Sequence, residues 1–144
     1  MAQIIDGKAV SASVKERVRA EIERDGLEIG LAVVIVGNNQ ASRVYVNNKK
    51  KACEVCGIKS YEYALPEETT EEQLLELVDA LNSDSKINGI LVQLPLPKQI
   101  NEEKIIEKIS PLKDVDAFHA VNVGKIMIGN YAFLPCTPAG CMEL

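Results

Sequence analysis

The chain has 144 residues, 47% of them hydrophobic and 26% charged, with a formal net charge of −5. That length suits one domain with a sizeable core. An acidic balance lacks the broad basic field that nucleic acid or an anionic membrane surface demands, no apolar run approaches a membrane span, and "MAQIIDGKAV" has no basic start followed by an apolar block. The expectation is a cytoplasmic protein whose partners include neither nucleic acid nor membrane.

"QII" reads as a short strand and "DGKAVSASVKERVRAEIERDG" as a helix, because Val10, Val14, Val18 and Ile22 recur every four residues as one apolar stripe. "LAVVIVG" is continuously apolar and β-branched and stops at Gly37, as a buried parallel strand does. "NNQASRVYVNNKKKACEVCG" is a second helix ended by Gly57. "IKSYEYAL" alternates as a strand. In "PEETTEEQLLELVDALNSD", Thr70 with Gln73 forms a capping box, and Leu74, Leu77, Val78 and Leu81 make the inner face of a third helix. "INGILVQL" is a buried strand and "NEEKIIEKI" a short helix; residues 110–136 read as loop and turn with one short strand. "TPAGCMEL" opens a helix with Thr137 as N-cap and Pro138 as its first residue. Strands alternating with helices predict an α/β fold with an open, mostly parallel sheet flanked by helices. The last helix has hardly begun at Leu144, so the expectation is that a C-terminal part is missing.

Four cysteines stand in two pairs, "CEVC" and "CTPAGC". Cys53 and Cys56 lie inside a helix with no nearby helix N-terminus to acidify a thiol, and the second pair has the wrong spacing for zinc. Small buried side chains are the better reading, with a redox or zinc domain as the competing one.

Three places carry candidate chemistry. In "YVNNKKK", Tyr45 and Lys49 are four apart and share a helix face that continues through Ala52, Cys53 and Cys56. Lys50 and Lys51 face solvent, whereas Lys49 is partly desolvated. Desolvation and cationic neighbours favour the neutral amine, which is the form a general base needs. The plain alternative is a lysine snorkelling from a core edge. Tyr-x-x-x-Lys is also the pair of short-chain dehydrogenases, but the chain has no G-x-G-x-x-G, and "VGNNQAS" has a single glycine. In "GILVQLPLP", Pro95 and Pro97 stop the ladder, so Gln93 sits at the carboxyl end of a central strand, where open α/β sheets bind ligands. It could hold a substrate or orient Lys49, or simply satisfy loop backbone. In "KDVDAFH", Asp114, Asp116 and His119 suit turn chemistry better than a metal site. A lone carboxylate there can accept parallel hydrogen bonds from a ring edge bearing an amino group and a ring N–H, as pterins and guanines do.

Taken together, "ASRVYVNNKKKACEVCGI", "GILVQLPLP", "PLKDVDAFHAVNVGKI" and "FLPCTPAGCMEL" resemble, in order and over essentially the whole chain, the bifunctional methylenetetrahydrofolate dehydrogenase/methenyltetrahydrofolate cyclohydrolase family. The resemblance implies roles. Lys49 matches the catalytic lysine, and Tyr45 the tyrosine that packs on the folate ring and contacts it. Gln93 matches the glutamine that hydrogen-bonds the lysine, and Asp116 the aspartate that holds the pterin edge. Lys51 matches a second lysine of the motif, its role left open. The implied reactions are NADP-dependent oxidation of methylenetetrahydrofolate and hydrolysis of the methenyl product to formyltetrahydrofolate, in one-carbon metabolism that feeds purine biosynthesis. The alternative is a non-catalytic folate- or pterin-binding module.

The chain departs from the family pattern at Gln40, at Ala120, and at Ala117, which stands where the family usually has glycine. If that position needs a positive φ, alanine carries strain there and shifts the Asp116 loop. Family members are about twice as long. Residues 1–136 are therefore expected to be the folate-binding catalytic domain and 137–144 the start of the inter-domain helix. The Rossmann domain that binds NADP lies outside the chain, so no cofactor-binding residue and no metal is expected within it. The full-length form is implied to be a homodimer, and this half is expected to expose apolar surface.

Overall fold

The computed structural model describes residues 4–144. The helices run α1 Gly7–Asp25, α2 Gln40–Cys56, α3 Glu71–Ser83, α4 Glu102–Lys108, α5 Ala120–Met127 and α6 Cys136–Glu143. The strands are β1 Gly30–Val36, β2 Lys59–Leu65 and β3 Gly89–Val92, all parallel, in the order β2-β1-β3. The sheet therefore reverses its direction of growth at β1, which puts a topological switch point at the carboxyl ends of β1 and β3.

Strand alternation divides the core. Ala32, Val34 and Val36 of β1 point to one face, where Leu74, Val78 and Leu81 of α3 and Ile105 of α4 cover them. Val33 and Ile35 point to the other, against Val46 of α2 and Leu91 of β3. Each large aliphatic side chain buried in this way stabilises the fold by about 1.5–3 kcal/mol. The second layer is thinner, and α5 with the turn after it leaves Val121, Met127, Ile128 and Tyr131 exposed, in line with the expected open apolar surface.

Local signals set most boundaries. The Asp6 carboxylate caps α1, the Asn39 side chain caps α2, and Gly26 and Gly57 end these helices at φ 61° and 79°. Thr70 and Gln73 form the expected reciprocal capping box on α3. Gly89 has no Cβ because one would lie 2.5 Å from Val115 Cγ1, so glycine lets the following loop rest against β3.

Four expectations need correction. Of the first predicted strand, Gln3 lies outside the described residues, and Ile4 and Ile5 are not in a strand. β3 is an edge strand rather than a central one, extended only by an isolated bridge between Ile90 and Asp114. The stretch read as loop with a short strand contains α5 instead. Finally, α6 starts at Cys136 with Pro135 at the N-cap position and no side-chain cap, so Thr137 lies within the helix. The fixed φ of proline is enough to enter a helix one turn ahead of Pro138.

Candidate active site

α2 runs back across the sheet from the carboxyl end of β1. Its buried residues are Ser42, Val46, Cys53 and Cys56. Lys49 falls in the same stripe, three residues after Val46 and four before Cys53, and is half-buried while Lys50 and Lys51 are exposed. Tyr45, one turn earlier, is 62% exposed.

The Lys49 side chain reaches the sheet edge. Its Nζ donates to Gln93 Oε1 at 3.2 Å. Gln93 follows β3 directly, and its backbone N–H donates to the Val34 carbonyl at 2.8 Å, continuing the ladder past the strand. The other end of the amide is committed as well, because Gln93 Nε2 donates to the Leu94 carbonyl at 2.8 Å. That bond turns the amide oxygen, which can only accept, toward Lys49. An amine can donate one N–H to it in either charge state, more strongly when charged. The same contact therefore holds Lys49 through a proton cycle and leaves the rest of the nitrogen free.

Asp116 joins this pair from the loop after α4. Burial pushes its carboxyl above the usual aspartate range; the Lys49 charge opposes the shift, Asp114 reinforces it, and a hydrogen bond with the Cys136 thiol opposes it again. The loop is anchored on two sides. The Ile90 N–H donates to the Lys113 carbonyl at 2.7 Å, and Lys113 Nζ donates to the carbonyls of Leu81 and Asp84 at 3.0 and 2.8 Å. A cation on the last carbonyls of α3 is well placed against the helix dipole. Asp114 and His119, considered with Asp116 as a metal set, serve the turn instead. Asp114 Oδ2 accepts from the His119 N–H at 2.9 Å, and His119 Nδ1 accepts from the Val121 N–H at 3.1 Å.

Ala117 is at φ 55° and 1% exposed. A left-handed alanine costs about 1–2 kcal/mol. Replacing it with glycine removes that cost but also a buried methyl worth about 0.8 kcal/mol, and frees the unfolded chain by about 0.4–1 kcal/mol. Ala117→Gly should thus leave stability within about 1 kcal/mol of the parent. Ala117→Val, β-branched in a left-handed position, should cost about 2 kcal/mol or more by chemical denaturation.

Lys49, Gln93 and Asp116 thus converge, and Tyr45 is exposed one turn before Lys49 on the same helix. Sequence reasoning missed a fourth neighbour. Cys136 is exposed as a residue, but its Sγ lies 3.7 Å from the Val115 carbonyl. Burial pushes the thiol up, Asp116 adds to this, and Lys49 partly offsets it. A raised thiol stays protonated and acts as a donor rather than a nucleophile. Cys53 and Cys56 are buried as expected, whereas Cys136 and Cys141 are not. A cavity of about 520 Å³ runs under the Lys49 stem toward Gly30 and Gly89, with Phe133 and Cys136 on its far wall. It is apolar and lies beside the polar cluster, with Tyr45, Gln93 and Asp116 outside its lining.

The turn between β1 and α2 does not fit a dinucleotide. The Asn39 side chain already accepts from the Ser42 N–H at 3.1 Å, and the Glu67 carboxylate fills the space beside Gly37. A pyrophosphate needs those N–H groups free and no acid against them.

Comparison with known proteins gives the family of the chain. Residues 5–116 match the family model described as tetrahydrofolate dehydrogenase/cyclohydrolase, catalytic domain. The bifunctional protein FolD of Acetivibrio thermocellus is 62% identical over 99% of this chain and 51% of its own length. The crystal structure of the FolD methylenetetrahydrofolate dehydrogenase/cyclohydrolase of Campylobacter jejuni superposes with a TM-score of 0.90 at 50% identity, over 96% of this chain and 50% of that one. The Trypanosoma brucei enzyme, complexed with NADP cofactor and inhibitor, superposes with a TM-score of 0.93 at 36% identity, over 99% of this chain and 50% of that one. The chain spans about half the length of the relatives it matches. On the family model and these relatives, it belongs to the tetrahydrofolate dehydrogenase/cyclohydrolase family and carries that family's catalytic domain.

Proposed function

We propose that this chain is the folate-binding, proton-handling half of an enzyme that oxidises methylenetetrahydrofolate to methenyltetrahydrofolate and hydrolyses the latter to formyltetrahydrofolate. The observation that carries the reading is the Lys49–Gln93 hydrogen bond beside Asp116 at the sheet switch point. Asp116 accepts the amino and ring N–H donors of the pterin. Tyr45, exposed and one turn from Lys49, offers a face on which the ring stacks. Those contacts put the methenyl carbon within reach of Lys49.

In the hydrolysis, water adds to the electrophilic methenyl carbon. Lys49 takes one of its protons and returns one to the departing ring nitrogen. The hydroxyl proton leaves to solvent as the carbon–nitrogen bond breaks and the formyl carbonyl forms. Gln93 holds the amine in place through both states. The dehydrogenase step relies on the nicotinamide of NADP as hydride acceptor. The turn between β1 and α2 does not fit that cofactor, so we assign its binding to a part of the enzyme outside these residues, and here the chain contributes the position of the folate. We take residues 1–136 to be the folate domain and 137–144 the start of the inter-domain helix, and the whole enzyme to be a cytoplasmic homodimer.

Titration of methenyltetrahydrofolate into the chain by calorimetry tests this. Saturable binding is expected, with no heat from NADP. A folded chain that binds no reduced folate sinks the proposal.

A further inference from the structure

Asp114 and Asn122 are buried polar side chains, 2% and 3% exposed. Asn122 Nδ2 donates to Asp114 Oδ2 and to the Pro111 carbonyl, each at 2.9 Å. The same Oδ2 accepts from the His119 N–H at 2.9 Å, and the Asp114 carbonyl accepts from the Ala117 N–H at 3.2 Å. The Asn122 N–H closes the far end on the His119 carbonyl at 2.8 Å. These bonds tie the segment from Pro111 to Asn122 into a ring. Asp116 stands on its rim, between Asp114 and the left-handed Ala117. Asn122 is also the buried residue of α5, so that helix is attached through it.

We infer that Asn122, acting through Asp114, is a positioning residue for Asp116: it sets where the carboxylate presents its oxygens to the pterin edge. The inference rests on the proposed folate reading. The physical reason is the number of restraints. A carboxylate on a free loop would lose affinity to rotamer and backbone freedom, and here the loop is held by buried bonds to a charged acceptor, the strong kind. The sheet core does not use this pair, so removing it loosens the loop more than the fold.

The test compares Asn122→Ala, Asp116→Ala, their double variant and Asp114→Asn. Asn122→Ala should weaken methenyltetrahydrofolate binding about tenfold, roughly the loss of part of one charged hydrogen bond. The hydrolysis rate at saturation should change by less than about threefold. The double variant should bind no more weakly than Asp116→Ala alone, because the asparagine acts only through that carboxylate. Asp114→Asn keeps an acceptor for both bonds but loses its charge, so it should weaken binding in the same direction as Asn122→Ala and by less, about threefold. Effects that add in the double variant, or unchanged affinity in Asn122→Ala, overturn the inference. If Asn122→Ala does not fold, Asn122→Ser, whose hydroxyl reaches one of the two acceptors at a time, carries the same comparison. A readout without folate separates the two claims. Carbon-13 titration of the Asp116 carboxyl should move toward the ordinary aspartate range in the Asn122 variant as the loop opens. If the parent chain binds no folate, the folate reading falls, and an unmoved titration overturns the positioning role as well.

Discussion

Replacing Lys49 with methionine is expected to slow hydrolysis of methenyltetrahydrofolate by about 10²–10⁴-fold, the usual worth of a positioned general acid–base group. On the proposed reading Lys49 handles protons while Asp116 and Tyr45 hold the ring, so the loss is expected in the rate at saturation rather than in binding. Methionine keeps the unbranched stem that lines the cavity beneath α2, so packing survives. What disappears is the amine, its bond to Gln93 and the charge that partly offsets burial of the Asp116 carboxylate. Gln93 Oε1 is half-buried and can turn to water, so the thermal midpoint should fall chiefly through Asp116, more at neutral pH than in acid. Stopped-flow absorbance with a melting curve separates the two effects.

Asp116→Asn is expected to lower affinity for the reduced folate by about 10²-fold while raising stability at neutral pH. The affinity falls because an amide offers one acceptor, and its NH₂ confronts a donor on the pterin edge. The stability gain follows from the sign of the pKa shift. Burial holds the Asp116 carboxyl in the folded chain above its unfolded value. Below the ordinary aspartate range both states are protonated and the group costs nothing. As pH rises from there to the folded value, the unfolded chain releases its proton first, and the folded state loses stability. Above the folded value the loss is complete. The difference in thermal midpoint, variant minus parent, should therefore be near zero in acid and grow positive toward neutral pH. A difference that is flat with pH would contradict the assignment of a buried, disfavoured charge. Such a carboxylate, retained at a cost to the fold, is what a ligand site produces.

Much of the scaffold was legible because local chemistry and hydrophobic period agree there. The four-residue stripe of α1, the β-branched run of β1, the capping box at Thr70 and Gln73 and the stop at Gly57 each point the same way. α5 was not, because its composition argues against a helix: Gly124 sits in its interior, Val121 and Val123 are β-branched, and the N-cap is His119 rather than a serine or aspartate. Its one buried residue is polar, so no apolar stripe marks it. The edge position of β3 depends on pairing across the sheet, which no single segment encodes. In the candidate site, helical spacing placed Lys49 in the buried stripe and left Lys50 and Lys51 outside it. The proline stop marked Gln93 as the end of a strand. The contacts of Cys136 with Asp116 and of Asn122 with Asp114 depend on how an irregular segment folds back on itself, and neither spacing nor composition carries that information.

The most direct test of the account is loss of methenyl absorbance when this chain meets methenyltetrahydrofolate with no nucleotide present, set beside the Lys49→Met variant. Hydrolysis above the buffer rate that disappears in the variant is the predicted result, and puts folate binding and proton chemistry on this half. Hydrolysis that survives the loss of the lysine would contradict the central assignment, as would a chain that binds the folate and leaves it intact.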